Sequence, residues 1–157
     1  MAWTNSRIFT AYLHDVLTNI TAMDLDTDAA LKAALFDNTI TPSQVVAAAL
    51  SAYNTGVWAA GGVFDASGWP AIGRDLVTPT VTAATANPIV FDALDTASAN
   101  STTTLTNATG ALIYDDTITT PVADQGICYC YFGGPNSVVA GTFTVLWNAS
   151  GILALTL

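Results

Sequence analysis

Residues 110–134 read GALIYDDTITTPVADQGICYCYFGG, two short apolar runs separated by a polar stretch of Asp, Thr and Pro. Ala111 to Tyr114 and Gly126 to Phe132 have the β-branched and aromatic content, and the flanking turn residues, of strands. On the second strand, alternation puts Cys128 and Cys130 on one face and Ile127, Tyr129 and Tyr131 on the other. Its YFGG ending reads as a glycine turn that closes the strand.

The same grammar runs through the chain from Val57 onward, where Gly, Pro, Asn and Asp recur between short runs rich in Val, Ile, Thr, Phe and Tyr. Val57 to Ala59, Gly62 to Asp65, Arg74 to Val77, Thr80 to Ala84, Ile89 to Phe91 and Thr103 to Thr106 read as further strands. Gly141 to Trp147 and Gly151 to Leu157 read as a final pair joined by an Asn148-Ala149-Ser150-Gly151 hairpin turn. An apolar last strand implies that the C-terminus is tied into the sheet. Thr96 to Thr109 is polar and of low complexity, and reads as a loop plus an exposed strand, with disorder as the alternative.

Residues 1–55 look different. Ile8, Phe9, Tyr12, Leu13, Val16, Leu17 and Ile20 recur at helical spacing after Thr4-Asn5-Ser6, which predicts an amphipathic helix of about four turns. Thr41-Pro42-Ser43-Gln44 carries a cap residue, a first-turn proline and a third-position glutamine, and Asn54-Thr55-Gly56 supplies a stop. Together they predict a second helix over about Pro42 to Tyr53. Between them, LKAALF at Leu31 to Phe36 reads as an apolar strand, and a short helix fits it almost as well. No linker or internal repeat interrupts the chain. The expectation is one domain over 1–157, α+β but mainly β: two N-terminal helices (1–55), then a largely antiparallel β-sandwich or barrel (56–157).

Composition narrows the function. The chain has 157 residues, enough to form a core without staples. Charged residues make up 10% against about 25% in ordinary soluble domains, while 52% are apolar. Either uncharged Thr, Ser and Asn cover the surface, or other subunits do. All twelve acids are Asp, and the net charge is −9. With no basic cluster, this disfavours nucleic acid and anionic lipid as partners. No stretch reaches the roughly 18 apolar residues of a membrane span or resembles a signal peptide. The expectation is a protein made and assembled in the cytoplasm.

Chemistry-bearing residues are few. Asp24-Leu25-Asp26-Thr27-Asp28 copies the start of a calcium loop, but Ala29 and Leu35 stand where glycine and a closing acid belong. Cys128, Cys130 and His14 make only three of the four ligands a structural zinc needs. A disulfide two residues apart on a strand is strained, so packed thiols are the better reading. His14 beside Asp15 has no G-x-S-x-G nucleophile to serve. Asp115 and Asp116 are sequence neighbours and point apart on a strand, unlike a glycosidase pair. Gly61-Gly62 and Gly133-Gly134 lack the lysine of a phosphate loop and read as turn glycines. Trp3, Trp58, Trp69 and Trp147 could line a sugar-stacking face, but core or interface packing is the better reading. No catalytic residue, metal or cofactor is expected, and the chain reads as a non-enzyme.

Four segments add a resemblance: LKAALFDNTITPSQ (31–44), YNTGVWAAGGVFDASGWPAIG (53–73), GALIYDDTITTPVADQGICYCYFGG (110–134) and GTFTVLWNASGILALTL (141–157). Their order and the YDD, YFGG and final F-T-x-x-W-N-x-S-G-I-L-x-L patterns resemble a family of small tailed-bacteriophage head decoration, or minor capsid, proteins. The resemblance covers most of the chain and brings no catalytic motif. It implies a homo-oligomeric subunit on the virion, bound to the phage major capsid protein and stabilising the shell. A tail tube or minor tail protein is the alternative within the virion, and a carbohydrate-binding module is the alternative of another class.

Overall fold

The computed structural model describes residues 3–20, 24–26, 30–83 and 88–156. The fold is mainly β and antiparallel, with two short α-helices among the described residues. Its centre is LKAALF: Leu31–Phe36 is a strand, β2, and all six residues are buried. A strand buried on both faces has no polar alternation to show, which is why its sequence also suited a helix.

One side of β2 pairs over its full length with β8 (Thr103–Asp115), from Leu31 opposite Asp115 to Phe36 opposite Gly110. The other side pairs with two short strands, β3 (Gly62–Val63) and β4 (Arg74–Asp75). Beyond β8 lies β9 (Gly126–Gly141), and β1 (Arg7–Ile8) pairs with β9 at Cys128 and Tyr129. The two strands expected within residues 110–134 fall in β8 and β9, which pair with each other in the main sheet. This sheet is open, ending in β1 on one side and β3 and β4 on the other, so the described residues form no closed barrel.

Two smaller sheets complete the fold. β5 (Val77–Ala83), β6 (Ile89–Leu94) and β11 (Leu153–Leu155) form one, and β7 (Thr96–Ala97) with β10 (Thr144–Val145) forms the other. The last two predicted strands therefore do not form a hairpin with each other. β10 goes to β7 and β11 to β6, because Gly151, at φ 93°, turns the chain toward Phe91, whose carbonyl accepts the Ile152 N–H at 2.9 Å. The C-terminal segment is tied into a sheet, the three-stranded one. Ala84 and Leu157, the ends of two predicted strands, lie outside the described residues.

Several local expectations give way to tertiary contacts. The first helix, α1, spans Thr10–Leu17, shorter than predicted. Ile8 is drawn into β1, and the left-handed Asn19 (φ 57°) ends the helix before Ile20. The second, α2, is only Ala48–Ser51. The residue at the start of α2 is Ala47, not Thr41, and the Gln44 carbonyl accepts both the backbone N–H (3.1 Å) and the hydroxyl (3.1 Å) of Thr10. Val57 to Ala59, predicted as a strand, lies in a 3-10 turn, Gly56–Ala59, that carries Trp58 inward. Thr103 to Thr106 and Ala111 to Tyr114 are parts of one long strand. Gly133 and Gly134 do not end β9; Gly133, at φ 81°, lies inside it, where the pairing with β8 slips register.

The core holds most of the large rings. Trp3, Phe9, Phe36, Trp58 and Tyr129 pack edge to face, with centroids 5.0 Å apart for Phe36 and Trp58 and 5.9 Å for Trp3 and Trp58. Such pairs add about 0.5–1.5 kcal/mol each beyond the area they bury.

Asp65 ties the Asp65–Trp69 turn to β8. Its Oδ1 accepts the N–H groups of Ser67 (3.0 Å) and Gly68 (3.1 Å), and its Oδ2 accepts the Thr104 N–H at 2.8 Å. These bonds, that from Thr104 first, lower its pKa from 3.8 to about 2. A lowered folded-state value stabilises the fold above the ordinary carboxylate range, and that contribution disappears as pH falls from about 4 to 2. Thermal melts across this window should fall in wild type and fall less in Asp65→Asn. An identical pH profile in the variant would refute the assignment.

Candidate functional site

Two adjoining hollows lie between the outer half of β9 and the β10 to β11 segment. One, of about 390 Å³, is lined by Tyr131, Phe132, Asn136, Phe143, Thr144, Val145 and Leu146. The other, about 230 Å³, shares Tyr131, Phe132, Val145 and Leu146 and extends past Trp147 and Asn148 to Ile152. The irregular stretch around Gly133 and Gly134 carries β9 past this opening. Two rings are held in place: Tyr131 stacks on Trp3 at 6.4 Å, and the Trp147 indole N–H donates to Thr96 Oγ1 at 3.1 Å. None of the lining residues carries a charge. Such a cleft suits a neutral ligand or an uncharged chain segment.

Trp3, Trp58 and Trp69 are buried and only Trp147 reaches the cleft, so the four tryptophans do not form one exposed stacking face. Cys128 is buried and Cys130 half-buried, both as free thiols. A hydrogen bond with Cys130, then burial, pushes the Cys128 thiol well up. Among the described residues no three His, Cys, Asp or Glu side chains gather to hold a metal. On native protein a thiol reagent should modify Cys130 first and Cys128 only as fast as the fold opens. Rapid labelling of both would contradict the packing.

His14 is exposed and its Nδ1 lies 3.0 Å from Asp15 Oδ1, while the buried Asp15 also accepts from Gln125 Nε2 at 2.9 Å. The bond to His14 leads in lowering the Asp15 pKa. The pair anchors α1 to the start of β9. Asp26 donates its backbone N–H to Asp24 Oδ1 at 3.2 Å; Asp28 and Ala29 lie outside the described residues. Gly61 turns the chain at φ 68° before β3. Asp115 and Asp116 do point apart. Asp115 Oδ1 accepts from Thr117, by its N–H at 2.8 Å and its hydroxyl at 2.6 Å, whereas Asp116 reaches Lys32.

That last contact belongs to a group the residue pattern did not single out. Lys32 is the sole lysine of the chain and sits on the all-buried β2. Its Nζ pairs with Asp75 Oδ1 and lies 3.2 Å from Asp116 Oδ2. Burial pulls its pKa down, but the hydrogen bonds that Nζ donates to Asp75 and Asp116 outweigh this and the net direction is up. The signal available in sequence was the odd lysine in an otherwise apolar strand.

No helix among the described residues is long and apolar enough to cross a membrane. No family model, curated protein or solved structure matches the chain.

Proposed function

We propose that this chain is a non-enzymatic structural protein of a tailed-phage virion, a decoration subunit that binds the major capsid protein and stabilises the shell. The observation that carries this reading is the surface. Leu17 (82%), Val139 (79%), Leu146 (74%) and Val45 (72%) stand exposed on a chain with only 10% charged residues. Exposed apolar side chains on so charge-poor a surface suit a subunit covered by neighbours, including copies of itself, in a repeated assembly. The family resemblance of the four segments supplies the kind of assembly. In this reading the small sheets pack over the main one as a β-sandwich, since Phe91 of β6 and Val145 of β10 share a core with β2 and β8. Bridging capsid subunits adds binding energy that must be lost before the shell can open.

The test is to image whole virions of the encoding phage and locate the density of this protein. Density on the head, in a copy number matched to the capsid subunits, supports decoration. Density stacked in tail rings supports the tail-tube alternative and overturns decoration. The uncharged aromatic cleft of Tyr131, Phe132 and Trp147 favours a second reading, carbohydrate binding. Silence on a glycan array removes it.

A further inference from the structure

We propose that Lys32 and Asp75 become joined by an intramolecular amide bond, with Asp116 as the proton relay. The main sheet brings three groups together. Lys32 lies directly opposite Asp75 across the β2 to β4 ladder and directly opposite Tyr114 across the β2 to β8 ladder. The three side chains form one row on one face of the sheet. Tyr114 is buried and stacks on Tyr53 at 4.9 Å, which puts an aromatic wall at one end of the row. The Tyr114 hydroxyl is tied to the Ile72 carbonyl at 2.6 Å, just before β4.

Each reacting group is held from its backbone. Lys32 belongs to the fully paired central strand, and its side chain is 11% exposed. Next to Asp75, the Leu76 N–H donates to the Leu31 carbonyl at 2.9 Å, which locks β4 against β2. Asp116, beyond the end of β8, donates its own N–H to the Ala30 carbonyl at 2.9 Å and aims Oδ2 at Nζ. A nucleophile, an electrophile and a second carboxylate thus meet without side-chain search. Fixed geometry of this kind reaches effective molarities on the order of 10⁵–10⁸ M, which favours an amide that free amines and acids in water do not form.

The atoms balance without a co-reactant. An ammonium and a carboxylate together contain one amide and one water. Asp116 relays one proton from Lys32 Nζ to an Asp75 oxygen, so that a neutral amine faces a neutral carboxylic acid, and Nζ then attacks Asp75 Cγ, forming the C–N bond. A second proton from the nitrogen follows, the C–O bond breaks, and the oxygen leaves as water. One positive and one negative charge vanish together, so the net charge stays at −9. The bond would lock β4 onto the central strand and close a loop between residues 43 apart in sequence, a staple suited to a particle that must survive outside a cell.

Intact mass of the denatured wild-type protein decides the matter, because it needs no variant to fold. The expected mass is one water below that of the sequence, with a proteolytic fragment joining the Lys32 and Asp75 peptides. Since Lys32 is the only lysine, exhaustive amine labelling of the denatured chain should then modify the α-amino group alone. A full sequence mass with a labelled Lys32 overturns the proposal and leaves a plain ion triad. So does a water loss that maps away from Lys32 and Asp75. Asp116→Ala should restore the full mass in part or whole; an unchanged extent and rate of water loss overturns the relay role.

Discussion

Trp69→Ala is expected to remove about 3–5 kcal/mol of folding stability, the usual cost of deleting a large ring from a core. The indole is fully buried. Its N–H donates to the Ala33 carbonyl at 3.0 Å, in the middle of β2, and its ring meets Phe143 edge to face at 5.7 Å. One side chain therefore connects the central strand, the Asp65–Trp69 turn and the segment leading to β10. Against a typical total of about 5–15 kcal/mol, the loss leaves a marginal protein. Trp69→Phe keeps much of the volume but not the donor, so it should fall between wild type and Trp69→Ala. Urea titrations followed by circular dichroism measure both. A loss under about 1 kcal/mol for the alanine variant would mean that Trp69 does not tie these three parts of the fold together.

The Trp69 contacts also show where sequence reasoning stops. Strand content was legible because period, β-branching and turn residues are local properties, and both strands expected within 110–134 form. LKAALF was ambiguous because a strand covered on both faces loses its alternation. The Thr41-Pro42-Ser43-Gln44 cap signal was outvoted by Thr10, which takes the Gln44 carbonyl from 34 residues away. Glycine permits several backbone conformations, so Gly133-Gly134 looked like a turn while serving within a strand. The tryptophans could not be assigned to surface or core by spacing, since burial depends on what folds over them. Lys32 met Asp75 only through the pairing of β2 with β4.

Gly110→Ala is expected to cost toward the upper end of the ~1–3 kcal/mol typical of overpacking, although one methyl is the smallest possible addition. A Cβ built at Gly110 falls 2.4 Å from Trp3 Cζ3 and 2.5 Å from the Cys130 carbonyl oxygen. The ring can shift only by disturbing Trp58 and Tyr129, which pack edge to face on Trp3, and by straining the bond from Trp3 Nε1 to the Asp37 carbonyl at 2.7 Å. The carbonyl belongs to β9, paired with β8 where Ala111 faces Cys130 and Gly110 faces Tyr131. Neither obstacle yields cheaply. In the unfolded chain alanine has the advantage, about 0.4–1 kcal/mol from reduced backbone freedom, so the measured loss understates the native-state clash. A double-mutant cycle separates the two obstacles. Trp3→Ala alone should be severely destabilising, but it removes the ring clash and leaves the carbonyl clash. Gly110→Ala should therefore cost less in the Trp3→Ala background than in wild type, without becoming free. Equal costs in both backgrounds would show that the ring does not press on Gly110. No cost in either would show that β8 and β9 can part at this point, against the close approach that places glycine at the middle of the sheet.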